Sequence, residues 1–168
     1  MSQPVSHMTD ASTAKCVLAG EALRSFGTLN FPSVGRSMLP TVWPGDTLVV
    51  EHVVPDQVRI GDVVVVGREG KLCAHRVTGK AGDPKNPQWI TQGDALPVPD
   101  RPVAKNELMG RVTYLIREGR LVPVPAELSG IDKVIAKVVR RSGSAARALV
   151  FLNRKRQTSK KSAMPCQS

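Results

Sequence analysis

A chain of 168 residues can bury one core with attachments, and 13 Pro and 14 Gly among many valines and few aromatics suit short strands joined by turns, which argues against a helical bundle. Residues 1–131 hold 14 Lys and Arg against 13 Asp and Glu, whereas residues 132–168 hold 10 against one. Nearly all of the formal charge of +10 therefore sits in a cationic tail on a body close to neutral.

Residues 1–11 read as a disordered polar start, with His7 a solvated tail histidine. Residues 1–15 lack the apolar centre of a signal peptide, and no stretch reaches the length of a transmembrane segment; the run Ala148 to Leu152 has five residues. The expected location is the cytoplasm or the periphery of a membrane. Cys16, Cys73 and Cys166 are odd in number and lack disulfide or metal spacing, which favours a reducing compartment and packing roles.

A helix is expected from Ser12 to Phe26, with Ser12 as its cap, Val17, Leu18, Ala22 and Phe26 on one face, and Gly27 at its end. Next comes Gly35-Arg36-Ser37-Met38-Leu39-Pro40-Thr41, then Val42-Trp43-Pro44-Gly45-Asp46. Gly35 permits close approach of another chain, Pro40 stiffens the backbone beyond Ser37, and Pro44-Gly45-Asp46 reads as a tight turn. Strands are expected at Thr47–Val54, Val63–Val66, Lys71–Thr78, Gln88–Thr91, Glu107–Arg117 and Arg120–Val124. Gly67-Arg68-Glu69-Gly70 and Glu118-Gly119 are hairpin connections, and Gly79–Pro87 reads as a polar loop. His52 reads as exposed, and Trp43 and Trp89 as core or turn packing. This density of short strands predicts a mainly β protein, an antiparallel ribbon or partly open barrel. Ile131, Val134, Ile135, Val138 and Val139 then stand at helical spacing between basic residues, an amphipathic helix with a cationic face. A second short helical segment is expected at Ala145–Leu152, and Asn153–Ser168 as a basic disordered end.

Three separated pieces carry chemistry: Ser37 in its Gly-x-Ser-Met-x-Pro-Thr setting, His75 in Ala74-His75-Arg76-Val77, and the carboxylates Asp94 and Asp100 in the stretch 92–101. A serine hydroxyl needs a base within hydrogen-bond reach to attack a peptide carbonyl. Histidine titrates near neutrality, so it can take that proton and return it to the leaving amine. A carboxylate on its other nitrogen fixes the tautomer. Cys73 and His75 share one side of a strand but have no further ligands nearby, so neither a metal nor another cofactor is expected.

Gly35, Ser37-Met38, Pro40-Thr41, Gly45-Asp46, Gly61-Asp62-Val63-Val64-Val65, His75-Arg76-Val77, Gly93-Asp94, Asp100-Arg101 and Gly110-Arg111-Val112 follow one another over residues 30–115. In order and spacing they resemble the signal peptidase family, in the branch of the endoplasmic reticulum, archaea and some bacteria where histidine replaces the lysine base. The resemblance implies a serine endopeptidase on a β-rich fold shared with the self-cleaving SOS repressors. It implies Ser37 as nucleophile, His75 as general base, Asp100 as third member and Asp94 as a supporting carboxylate. Gly35 and Met38 would lie against the substrate, an extended peptide or precursor protein. The implied division is a core at 12–130, with its catalytic region at 30–115, and a basic helix and tail at 131–168. The chain departs from the family in having Gly35 where many members have serine, and Ala95-Leu96 where a pair of asparagines often follows Gly-Asp. No counterpart of the family's N-terminal transmembrane helix is expected within these 168 residues.

Two other readings stay open. A self-cleaving regulator would use the same serine on Ala19-Gly20 in its own N-terminal arm. A non-enzymatic nucleic-acid-binding module would rest on the tail charge, which lacks interleaved aromatics and so predicts no specific binding. The basic tail together with the Ile131–Val139 face could instead touch anionic lipid.

Overall fold

The structure, a computed structural model, describes residues 7–141 and 146–151, with side chains from Ser12 onward. The expected disorder of residues 1–6 and the basic end after residue 151, with Cys166, lie outside the described residues.

α1 (His7–Phe26) ends at Gly27, φ 75°, as the sequence predicts. Residues 7–11 are helical, where a disordered lead was expected. Its buried face also differs from the expected one. Val17, Leu18 and Phe26 are exposed, while Gly20 and Leu23 face the sheet. The physical reason is proximity: a Cβ on Gly20 would already meet the Met109 side chain at 3.3 Å, so the face that packs is the one with small residues around a single Leu.

Seven antiparallel strands form one open sheet. They are β1 (Thr28–Pro32), β2 (Thr47–Glu51), β3 (Val63–Arg68), β4 (Lys71–Asp83), β5 (Asn86–Gln92), β6 (Leu108–Arg117) and β7 (Arg120–Pro123). Their order is β1-β2-β6-β3-β4-β5, with β7 on β6. Thr28–Pro32 was not expected as a strand. It is an edge strand, half exposed along its length, and edges tolerate its terminal proline. Gly79–Pro87 is not a loop either: β4 and β5 pair through it as far as Asp83 and Asn86. The strand expected to reach Val54 stops at Glu51, before a short 3-10 turn at Pro55–Gln57. The β3–β4 and β6–β7 hairpins close on Glu69-Gly70 and Glu118-Gly119, with positive φ at all four residues, the mirror-image turn that matches strand twist.

β3 explains the layering. Val63 and Val65 enter one core with Leu23, Val50, Val112 and Leu115, while Val64 and Val66 enter a second with Val77, Trp89 and Val103. Alternate side chains point to opposite faces, so an unbroken valine run is what a strand covered on both sides requires. Trp89 is core, and Trp43 is half-buried, as expected of both.

α2 (Gly130–Arg141) is started by Ser129, whose hydroxyl accepts from the Asp132 N–H at 3.2 Å. Its Ile135, Ala136 and Val139 face inward; Val139 and the helical stretch 146–151 close a third cluster on Leu39, Trp43 and Ala95. Among the described residues no helix is long and apolar enough to cross a membrane.

Candidate active site

Two short segments position the turn that carries Ser37. Ser33, just past β1, donates to the Asp46 carbonyl and accepts from Gly45, each at 2.8 Å, closing a loop over residues 33–46. Within it Val42 N–H donates to Met38 C=O at 2.9 Å, and Leu39-Pro40 is cis. Asp46 fastens the loop to the sheet. Its carboxylate accepts from Trp43 N–H at 2.7 Å and from Arg117 Nη2 at 2.6 Å and Nε at 3.0 Å, while Nη2 also reaches the Thr41 carbonyl.

His75 sits on β4 opposite Val64 and is 7% exposed. Its Nδ1 lies 2.6 Å from Asp100 Oδ2, and its Nε2 lies 3.1 Å from Ser37 Oγ. A carboxylate only accepts, so Nδ1 carries the proton and the Nε2 lone pair faces the serine hydroxyl. Thr91 donates its hydroxyl to the same Asp100 oxygen at 2.7 Å, and Asp100 N–H bonds the Thr91 carbonyl at 2.8 Å. The acid is thus held from both its side chain and its backbone. Thr91 did not stand out in the sequence; the only signal was a hydroxyl on a strand position that alternation turns inward.

Asp94 does not touch His75. It is 3% exposed and paired with Arg76, whose Nε and Nη2 donate to its two oxygens at 2.8 and 3.0 Å. Thr41 donates its hydroxyl to Asp94 as well. Nη2 also donates to the Thr41 hydroxyl oxygen at 3.2 Å, and Nη1 donates to the carbonyls of Gly61, Pro125 and Ala126. Removing either partner would strand a charge that burial has taken out of water. Asp94 is therefore a fastening of the loop over residues 33–46 to β4, with Thr41 as the link.

Gly93 explains the Gly-Asp pair. A Cβ there would stand 2.6 Å from the Ser37 carbonyl oxygen, and the following Ala95 N–H donates to that oxygen at 2.8 Å. Only glycine lets the two backbones approach this closely.

Beside Ser37 lies an apolar cleft of about 380 Å³. Phe31 to Gly35 form one wall, Leu72, Cys73 and Ala74 the other, and Met38, Val42, Leu48 and Val65 the floor. Gly35 is exposed at its rim and Met38 is buried beneath it. Among the described residues the Leu72–Ala74 wall is an unpaired strand edge, because β5 joins β4 only from Arg76 onward. Val77 bonds toward β3, so alternation turns the N–H and C=O groups of Leu72 and Ala74 outward to this edge. A second cavity of about 200 Å³ lies on the Asp100 side of His75, lined in part by Arg68, Lys71 and Cys73. Burial, reinforced by the Asp100 charge, pushes the Cys73 thiol above its ordinary pKa.

Arg68 and Glu107 brace the segment after Asp100. Two guanidinium nitrogens meet the two carboxylate oxygens at 2.7 Å, and Arg68 also reaches the Pro102 carbonyl at 3.0 Å. The Arg68 bond holds the Glu107 carboxyl down at about 2. His52 is exposed, as expected. Among the described residues no cluster of His, Cys, Asp and Glu could hold a metal ion. Comparison with protein-family models, with curated proteins and with solved structures returns no match.

Proposed function

We propose that the chain is a serine endopeptidase that cleaves an extended peptide segment through Ser37, His75 and Asp100. The observation that carries this reading is His75 hydrogen-bonded at both ring nitrogens, to Ser37 Oγ on one side and Asp100 on the other. This is the arrangement that makes a hydroxyl nucleophilic at neutral pH.

In the proposed reaction a peptide lies in the cleft as an added strand, pairing its backbone with the outward-facing groups of Leu72 and Ala74. Aliphatic side chains on alternate residues fill the space above Met38 and Val42. Ser37 Oγ attacks the scissile carbonyl as Nε2 of His75 takes its proton. Asp100 stabilises the imidazolium, which returns the proton to the leaving amine. Water repeats the sequence on the acyl-enzyme and restores the serine. The Ser37 N–H, which makes no hydrogen bond among the described residues, is the first donor to the oxyanion.

The family resemblance of the ordered boxes supports the same reading, with a precursor or signal-like peptide as substrate. Self-cleavage at Ala19-Gly20 finds no support: the pair lies inside α1, with Gly20 buried, and helical backbone must unwind before it can enter a strand-shaped cleft. The test is a library of extended peptides incubated with the wild type, with Ser37→Ala and with His75→Ala, reading the cut sites by mass spectrometry. Cleavage lost in both Ser37→Ala and His75→Ala, with melting curves unchanged, is the expected result. Cleavage that survives Ser37→Ala overturns the proposal.

A further inference from the structure

α2 has two unlike sides. Ala136 and Val139 are buried and Ile135 half-buried. Ile131, Val134 and Val138 remain 75%, 63% and 54% exposed. Successive helical residues turn by about 100°, so these three side chains fall within roughly 60° of one another. Lys133, Lys137 and Arg141 occupy a neighbouring strip roughly 80° wide. All three are exposed, and none forms an ion pair among the described residues.

Single exposed valines need no explanation. An apolar strip at helical repeat beside a strip of unpaired cations is a different case, because the two together match one kind of surface. At the boundary of a lipid layer, aliphatic side chains enter the acyl region while lysine and arginine reach back to the phosphates. A protein groove would have to supply both a concave apolar wall and acids in register, whereas a phospholipid surface needs only net negative charge. The surrounding sequence supplies that complement: residues 132–168 carry 10 basic residues against one acidic. The helix is also already formed by its packing on Leu39 and Ala95, so no ordering cost falls on the contact.

We infer that α2 is an interfacial helix that lays this domain on an anionic phospholipid surface, its Ile131-Val134-Val138 strip toward the acyl chains. The inference stands apart from the proteolytic reading, since it uses neither Ser37 nor His75.

The test is sedimentation of the full chain with vesicles of phosphatidylcholine alone and of phosphatidylcholine with phosphatidylglycerol, at low and high salt. The expected result is co-sedimentation with the anionic vesicles only, weakened by salt. Lys133→Ala with Lys137→Ala is expected to weaken binding about thirtyfold. Val134→Ser with Val138→Ser is expected to weaken it about tenfold or more. Both pairs are exposed, and unchanged melting curves verify the fold. Binding that survives the valine pair overturns the inference and leaves charge alone as the attraction. Absence of vesicle binding overturns it too, as does dimerisation or retention on duplex DNA that depends on the same valines in place of lipid binding.

Discussion

The Ala95 N–H donates to the Ser37 carbonyl at 2.8 Å, so the turn carrying Ser37 and the loop carrying both carboxylates are hydrogen-bonded to each other. Ser37 cannot shift without pulling on Gly93, Asp94 and Ala95. The two acids of that loop have separate partners, Arg76 for Asp94 and His75 for Asp100.

Asp100→Asn is expected to lower the rate of peptide cleavage about ten-thousandfold while leaving urea-unfolding stability within about 1 kcal/mol, as when a triad loses the acid that sets its tautomer. Near-normal turnover removes Asp100 from the mechanism.

Asp94→Asn is expected to act through stability, at a cost of about 3 kcal/mol, because the Arg76 guanidinium keeps its burial and loses its counter-charge. Equilibrium urea unfolding measures this. A loss under about 1 kcal/mol would show that the ion pair does not fasten the loop.

Gly93→Ala tests the close backbone approach. The new methyl would start 2.6 Å from the Ser37 oxygen, and relieving it must displace the serine turn. A shift of about 1 Å in a reacting group costs about a hundredfold in rate. The expected outcome is a fall of that order in kcat with KM little changed, read from steady-state kinetics on a peptide substrate.

Glu107 gives the acid limb of stability a specific source. Its carboxyl is held at about 2 in the folded chain, below its ordinary value of 4.5, by the Arg68 hydrogen bond. The folded state therefore binds this proton less readily than the unfolded chain. The stabilisation is complete above about pH 4.5 and is lost progressively as pH falls toward 2. Urea midpoints followed across this window should fall less steeply in Glu107→Gln than in the wild type, and equal slopes would show that the pair is not a source of the acid sensitivity.

Parts of this architecture are legible before any coordinates. The Val63–Val66 run announces a strand covered on both faces, Glu69-Gly70 and Glu118-Gly119 announce tight hairpins, and the spacing from Ile131 to Val139 announces α2. Ser37, His75 and the two carboxylates Asp94 and Asp100 stand out because their residue types make sense only together, and the family resemblance alone favours Asp100 over Asp94. β1 escapes notice because Thr28-Leu29-Asn30-Phe31-Pro32 is an edge with little to bury. The far half of the β4–β5 hairpin escapes because its polar composition imitates a loop. The face of α1 is misread because apolar periodicity shows which residues prefer burial, while the helix in fact approaches the sheet where its side chains are smallest. The choice between Asp94 and Asp100 depends on two chain reversals, Leu96 N–H to the Gly93 carbonyl and Asp100 N–H to the Thr91 carbonyl, and composition does not encode them. The partnership of Arg76 with Asp94 and Thr41 spans 18 and 35 residues, a separation at which periodicity carries no information.

β4 is bonded along β3 from Lys71 to Arg76, but among the described residues its other margin finds β5 only from Arg76. A ribbon with one vacant margin is indiscriminate: whatever extended chain reaches it first can dock, including a neighbouring copy caught partly unfolded. Crowded solutions of this protein should accordingly begin to aggregate at Leu72–Ala74. A short uncleavable peptide that occupies this margin is then the additive expected to keep the molecules dispersed.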